Sequence, residues 1–177
     1  PIFLSATLNL GRGQLKMVFN ETIDTTTLAM VNLSKIFIGD LSTSFTNGVD
    51  AVSMSGAVSV TVIDAVTIRI QMTESQRVAA MYLGNTTIAG DGTPTVLNVK
   101  TGAVHDVAGN PIVNEIASGL AIEELPDRMR PNISNPILHY GNGSLTVEAT
   151  ETLDLTPASL VDLSKIRFVL HDMVLSL

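Results

Sequence analysis

Apolar and polar residues alternate with period two along most of the chain, in short runs broken by polar turns. Ile2, Leu4, Ala6, Leu8 and Leu10 alternate with more polar neighbours, which predicts a half-buried strand over 2–10. Gly11-Arg12-Gly13 supplies the backbone freedom for a hairpin, after which Leu15, Met17 and Phe19 resume the alternation over 14–19. A strand is expected over 35–38. Val58, Val60 and Val62, then Val66, Ile68, Ile70 and Met72, form two alternating sets split at Asp64-Ala65, the pattern of a second hairpin. The period changes at Thr73, where Thr-Glu-Ser-Gln reads as an N-cap with polar helix starters and Val78, Met81 and Tyr82 follow at helical spacing; a short helix is predicted over 74–83. Strand signals return over 86–89, 95–100 and 103–106, Gly109-Asn110-Pro111 breaks the chain, and 112–122 can close the domain.

One stretch occurs twice. Residues 8–36 and 138–166 align without a gap at an offset of 130, with identities at Leu8, Gly11, Gly13, Leu15, Glu21, Thr22, Asp24, Thr26, Val31, Leu33, Ser34, Lys35 and Ile36. That spacing is the size of a domain, well above the 20 to 50 residues of solenoid repeats. The expected organisation is a complete β-sandwich repeat over 1–122, a charged linker over 123–130, and the first part of a second, incomplete repeat over 131–177. After the linker, strands are expected over 137–140, at Leu145, Val147 and Ala149, and around Ile166, Phe168 and Leu170. Many short alternating strands with polar turns indicate an all-β, antiparallel sandwich of immunoglobulin-like architecture with one short helix per repeat. The paired Cys and buried Trp of antibody domains are absent.

Composition narrows the setting. The net charge is −7 with only 10 basic residues, scattered along the chain, which argues against nucleic acid. Charged residues make up 15% against a usual share of about a quarter, so either neighbouring subunits cover much of the surface or the chain carries something hydrophilic, such as glycan. No apolar run is long enough to span a membrane. Without Cys there is neither a disulfide framework nor a thiolate metal site. The start at Pro1, with no Met and no signal peptide, is the expected mark of a segment of a longer or processed product.

Two motifs carry a family resemblance. Phe19-Asn20-Glu21-Thr22-Ile23-Asp24, with Leu28 downstream, resembles the F-S-E-x-V-D…T-L stretch of bacterial immunoglobulin-like surface domains, and Val104 to Ile112 is similar to their closing D-x-x-G-N signature. The same order recurs in tandem repeats of secreted surface proteins of algae and other protists. There a strand and a Thr-initiated helix, like Ile68 to Leu83, precede the D-x-x-G-N turn, which makes the protist form the closer likeness. The resemblance covers most of 1–122 and the second copy as far as it goes, though that copy has Ala149 for Phe19 and Thr150 for Asn20. It implies an extracellular protein that builds stalks, layers, fibres or adhesive surfaces.

Candidate chemistry is sparse. Five Asn-x-Ser/Thr sequons make Asn20, Asn32, Asn85, Asn132 and Asn142 candidate N-glycosylation sites, with Asn142 at a hairpin tip and Asn85 after the helix the best placed; the alternative is that they are unused coincidences of a Thr-rich chain. Glu21, Asp24, Asp106, Asn110, Glu123, Glu124 and Asp127 raise the question of calcium, but no D-x-D-x-D-G spacing occurs and Arg128 and Arg130 are at hand to neutralise the linker acids. His105, His139 and His171 have no zinc-site spacing, and no nucleophile elbow or phosphate loop is present, so no catalytic or cofactor residue is assigned and an enzyme is not expected. The expected role is a structural subunit of an extracellular filament or surface layer, self-associating and glycosylated, with a stalk repeat of a cell-surface adhesin as the alternative. For residues 131–177, one reading is that strands of a neighbouring repeat complete them, and the other is that the segment is simply cut there.

Overall fold

The computed structural model describes residues 1–26, 30–40, 51–113, 119–155, 157–170 and 173–176, the side chains of 168–170 and 173–176 excepted. The chain is mostly β-sheet and divides into two compact units, Pro1–Met129 and Arg130–Leu177.

In the first unit, β1 (Phe3–Asn9), β2 (Gln14–Phe19), β3 (Ile36–Asp40), β4 (Val52–Ser53), β5 (Ser59–Asp64), β6 (Thr67–Gln71), α1 (Glu74–Leu83), β7 (Thr95–Val99), β8 (Leu120–Ala121) and β9 (Glu123–Leu125) follow in order. They form a five-stranded sheet, β5-β6-β2-β1-β9, and a four-stranded sheet, β4-β3-β7-β8. Leu8, Leu15, Met17, Ile68 and Ile70 of the first share one buried cluster with Ile36, Ile38, Leu97 and Val99 of the second. This is a two-layer β arrangement around a single core, as the alternation requires. Ala80 of the helix, Val104 and Ile112 belong to the same cluster.

Three sequence expectations change in this unit. The phase of β1 flips near its start, so that Phe3 is buried while Ile2 and Leu4 are exposed. Phe3 pairs with Phe19 but Ser5 with Val18, a β-bulge that inserts one residue and turns the following side chains over. Residues 86–89 are a turn. Their polar groups go elsewhere: the Asn85 N–H and the Thr86 hydroxyl donate to Glu124, and the Thr87 hydroxyl donates to the Met81 carbonyl at 2.7 Å. The turn folds so closely that a Cβ on Gly90 would lie 1.9 Å from the Gly84 carbonyl oxygen. Third, residues 123–125, read from charge as linker, are strand β9, which pairs parallel with β1, so the sheet is not wholly antiparallel. Residues 103–106 contribute only isolated bridges, His105 to Pro111 and Asp106 to Ile23. Of 112–122, the strand is β8, and 114–118 lie outside the described residues.

The helix forms where its cap predicts. The Thr73 hydroxyl accepts from the Gln76 N–H at 3.2 Å and the Gln76 side chain accepts from the Thr73 N–H at 2.9 Å, a reciprocal capping box. Gln76 also donates to the carbonyls of Ser53 and Ser55, fastening α1 to β4. The inward face differs from the apolar spacing: Arg77 and Ala80 are buried, whereas Tyr82 is exposed.

The second unit contains β10 (Ile133–His139), β11 (Ser144–Ala149), β12 (Arg167–Leu170) and β13 (Met173–Ser176), paired as two antiparallel hairpins. Its first hairpin reproduces local features of β1–β2 at the offset of 130. Leu138 faces Leu145 as Leu8 faces Leu15, and a bulge lies between Ser134 and Ile137. Gly143 has φ +70° where Gly13 has φ +60°. Thr150 replaces Asn20 without loss, because its hydroxyl accepts from the Asn132 N–H as the Asn20 Oδ1 accepts from Ile2. No α-helix occurs among the described residues of this unit, and none in the described residues of the chain is long and apolar enough to cross a membrane.

Candidate functional site

All five sequon asparagines are exposed. Asn142 sits at the tip of the β10–β11 hairpin, its Oδ1 accepting from the Ser144 N–H at 3.1 Å and from the Ser144 hydroxyl at 2.8 Å. Asn32 accepts identically from Ser34, at 3.1 and 2.6 Å, and so caps the 3-10 turn Leu33–Lys35. That arrangement is a turn device in its own right. In the second unit Asp162 caps Leu163–Lys165 with the same backbone angles and the same two bonds from Ser164, although it cannot carry a glycan. Asn32→Asp is therefore expected to leave the unfolding midpoint unchanged, and Asn32→Ala to cost about 1 kcal/mol in urea unfolding. Asn20 and Asn132 hold strand ends together, Asn20 N–H to Ile2 carbonyl at 3.1 Å and Thr150 N–H to Asn132 carbonyl at 2.9 Å. Asn85 lies in the turn after α1 and lends its N–H to Glu124.

The acids considered for calcium are spent on protein partners. Asp106 accepts from the Asn110 N–H and side-chain amide, both at 2.8 Å, and its carbonyl takes the Gly109 N–H at 3.0 Å, with Gly109 at φ +83°. The D-x-x-G-N signature is thus a turn that satisfies itself, and the bonds from Asn110 hold the Asp106 carboxyl below its ordinary range. Asp24 accepts from the hydroxyl and N–H of Thr26, which lower it in the same way. Glu123 accepts from the Thr7 hydroxyl.

Glu124 is bonded to three residues of the first unit. It accepts from the N–H groups of Asn85 and Thr95 and from the hydroxyls of Thr86 and Thr95, joining β9 to β7 and to the turn after α1. Partial burial pushes its carboxyl up, but the bonds from Thr95, Thr86 and Asn85 outweigh that and hold it low. Asp127 pairs with Arg77, at 2.6 Å, rather than with the neighbouring arginines of its own segment. Among the described residues no group of three or more His, Asp or Glu could hold a metal ion. A chelator is expected to leave the melting temperature unchanged; a drop on chelation, reversed by calcium, would contradict this assignment.

These lowered carboxyls predict an acid limit to stability. Asp24, Asp64, Asp106 and Glu124 all lie below their ordinary values when folded, Asp64 because it accepts from the Val66 N–H. A carboxyl depressed in the folded state contributes stability above its unfolded value and loses it as pH falls through the folded one. The urea midpoint should hold steady from pH 7 to about 5 and fall below about pH 4. A midpoint that rises on acidification would show that these bonds do not stabilise the fold.

His105 lies in the 103–106 segment, with its Nδ1 buried and without a hydrogen-bond partner among the described residues, His139 ends β10, and His171 lies outside the described residues. An open groove of about 380 Å³ runs along the outer face of the five-stranded sheet, lined by Thr7, Asn9, Gln14, Lys16, Arg69 and Leu125 among others. Lys16 and Arg69 are direct cross-strand partners there. The Thr7 hydroxyl that lines it donates to Glu123. Sequence reasoning missed the Arg77–Asp127 and Glu124 clusters, whose signal is a lone buried-face arginine in a helix and acids in a segment that looked like linker. No family model, no curated protein and no solved structure matches this chain.

Proposed function

We propose that the chain is a structural subunit of an extracellular filament or surface layer, built from tandem immunoglobulin-like sandwich repeats, N-glycosylated and self-associating. The observation that carries this reading is the contrast between equivalent positions of the two units. Phe3, Met17 and Val31 are 5%, 0% and 5% exposed, whereas Ile133, Val147 and Val161, 130 residues on, are 50%, 43% and 39% exposed. Apolar positions of that kind call for a cover. In the first unit the facing four-stranded sheet supplies it, since Met17 shares a buried cluster with Ile36, Ile38, Leu97 and Val99. In this reading strands from further along the chain or from a neighbouring subunit play that part for the second unit, and where they are passed head to tail from subunit to subunit they give a filament rather than a closed ring.

The shortage of charge fits a surface covered by neighbours and glycan. The experiment is electron microscopy of the native material together with intact mass. Ordered filaments with mass above the bare polypeptide are expected. Single flexible rods of unmodified mass would replace this reading with a stalk repeat of an adhesin.

A further inference from the structure

The outer face of the five-stranded sheet carries two cations side by side. Lys16 on β2 and Arg69 on β6 are direct cross-strand partners, with Thr7 and then Glu123 beyond Lys16 in the same row and Thr61 beyond Arg69. Like charges set directly opposite each other cost stability. Neither cation makes an ion pair among the described residues. The nearby acids have other partners: Glu123 accepts from the Thr7 hydroxyl at 3.2 Å, and Asp64, which attracts Lys16 only through space, accepts from the Val66 N–H at 2.9 Å. Both cations line the groove on this face, and no acid among the described residues does. That is a local reversal of sign in a chain of net charge −7 with only 10 basic residues.

The groove crosses all five strands. Its lining runs from Leu125 on β9, through Asn9 on β1, Gln14 on β2 and the two cations, to Ile63 on β5, a span of about 19 Å at the ordinary strand spacing. The charges lie in the middle and the apolar side chains at the ends. The polar side chains keep bonding capacity of both kinds. Asn9 accepts from the Arg12 N–H at 3.0 Å through its Oδ1, which leaves its amide NH2 to donate. Gln14 donates to Gln71 at 3.0 Å, which leaves its own carbonyl oxygen to accept, and the Thr7 oxygen can also still accept. The strand backbones pair with one another here, so the face offers side chains alone.

We propose that this groove binds an acidic saccharide, with Lys16 and Arg69 holding the carboxylate of a uronate unit and Asn9, Gln14 and Thr7 bonding hydroxyls of the sugar chain. The planar guanidinium fork matches a carboxylate, and the lysine adds a point charge. An anion between the two cations relieves their repulsion. A peptide laid across the face would find no backbone partners for its own N–H and C=O groups, which are ordinarily met along a sheet edge. Sugar hydroxyls need only the side chains present. No aromatic ring lines the groove for a neutral sugar to stack on, so charge carries the recognition and binding weakens as salt is raised. This inference concerns the first unit alone and stands whether or not the chain assembles.

The test is isothermal titration calorimetry of the whole chain with oligogalacturonate at low salt, repeated with its uncharged methyl ester, with polyglutamate and with sodium sulfate. Oligogalacturonate is expected to bind and the ester not to. Lys16→Gln and Arg69→Gln are each expected to weaken binding at least about tenfold, the loss of one charge-assisted contact. Neither side chain is buried, and each change removes a like-charge pair, so the urea midpoints should not fall. A wild-type chain that does not bind oligogalacturonate overturns the proposal, as does an ester that binds equally well or undiminished affinity in a folded variant. Polyglutamate bound as tightly as oligogalacturonate would make this a site for acidic peptides, and sulfate bound as tightly would make it a site for free ions. Either result overturns the saccharide assignment.

Discussion

Met17→Ala is expected to lower the free energy of unfolding by about 2 to 5 kcal/mol, and Val147→Ala, at the same position of the second copy, by less than about 1 kcal/mol. Met17 is wholly buried in β2, where its strand lies between β1 and β6 and its side chain belongs to the cluster shared by both sheets. Truncating it removes apolar contacts and leaves a cavity that a close-packed two-sheet core can only partly collapse. Val147 lies in β11, which pairs only with β10 among the described residues, and its side chain is 43% exposed. Little packing is there to lose in the isolated chain. Urea unfolding measures both, and with two units present each transition is to be followed separately. Equal costs at the two positions would mean that the second unit is already covered, contrary to the basis of the proposed assembly.

The second large effect is expected at Arg77. The residue is 6% exposed, and its guanidinium makes paired bonds to Glu74 at 2.7 and 2.8 Å, one to Asp127 at 2.6 Å and one to the Leu10 carbonyl at 3.3 Å. These contacts join α1 to the end of β1 and to the segment after β9. The bonds from Glu74 and Asp127 raise the arginine's affinity for its proton further, against the opposing effect of burial, so it stays charged at every accessible pH. Arg77→Ala leaves the Asp127 carboxylate, itself 10% exposed, without its cation and is expected to cost about 3 to 5 kcal/mol. Arg77→Lys should recover only part, since an ammonium cannot reproduce the planar two-pronged pairing with Glu74. The combination Arg77→Met with Asp127→Leu should cost less than the two single changes together, because it removes both charges from the interior. Additive costs in that cycle would show that the pair does not act as one.

What the sequence made legible was local. The two glycine hairpins, the β5–β6 hairpin and the Thr73 cap each rest on residues within a few positions of one another, and each forms as expected. What it concealed depends on partners far along the chain. Glu124 and Asp127 read as a charged linker because charge in a short stretch is ordinarily solvated, yet Thr95 and Arg77, 29 and 50 residues away, hold them inside the first unit. The parallel pairing of β1 with β9 joins residues 116 apart, as in Thr7 with Glu123, and leaves no periodic trace in either strand. Ile2 and Leu4 were assigned to the core by alternation because a bulge adds a residue without altering composition. The sequons were legible as motifs, but Asp162 in the place of Asn32 shows that one of them also serves a turn that needs no glycan.

The most direct measurement of the assembly claim is amide hydrogen exchange in β11, residues Ser144–Ala149, compared between the dilute chain and assembled material. The account predicts rapid exchange at this strand in the dilute chain, strong protection once strands of a neighbouring repeat cover it, and protection in β2 throughout. β11 amides that exchange equally fast in both states, or that are already protected in the dilute chain, would contradict it.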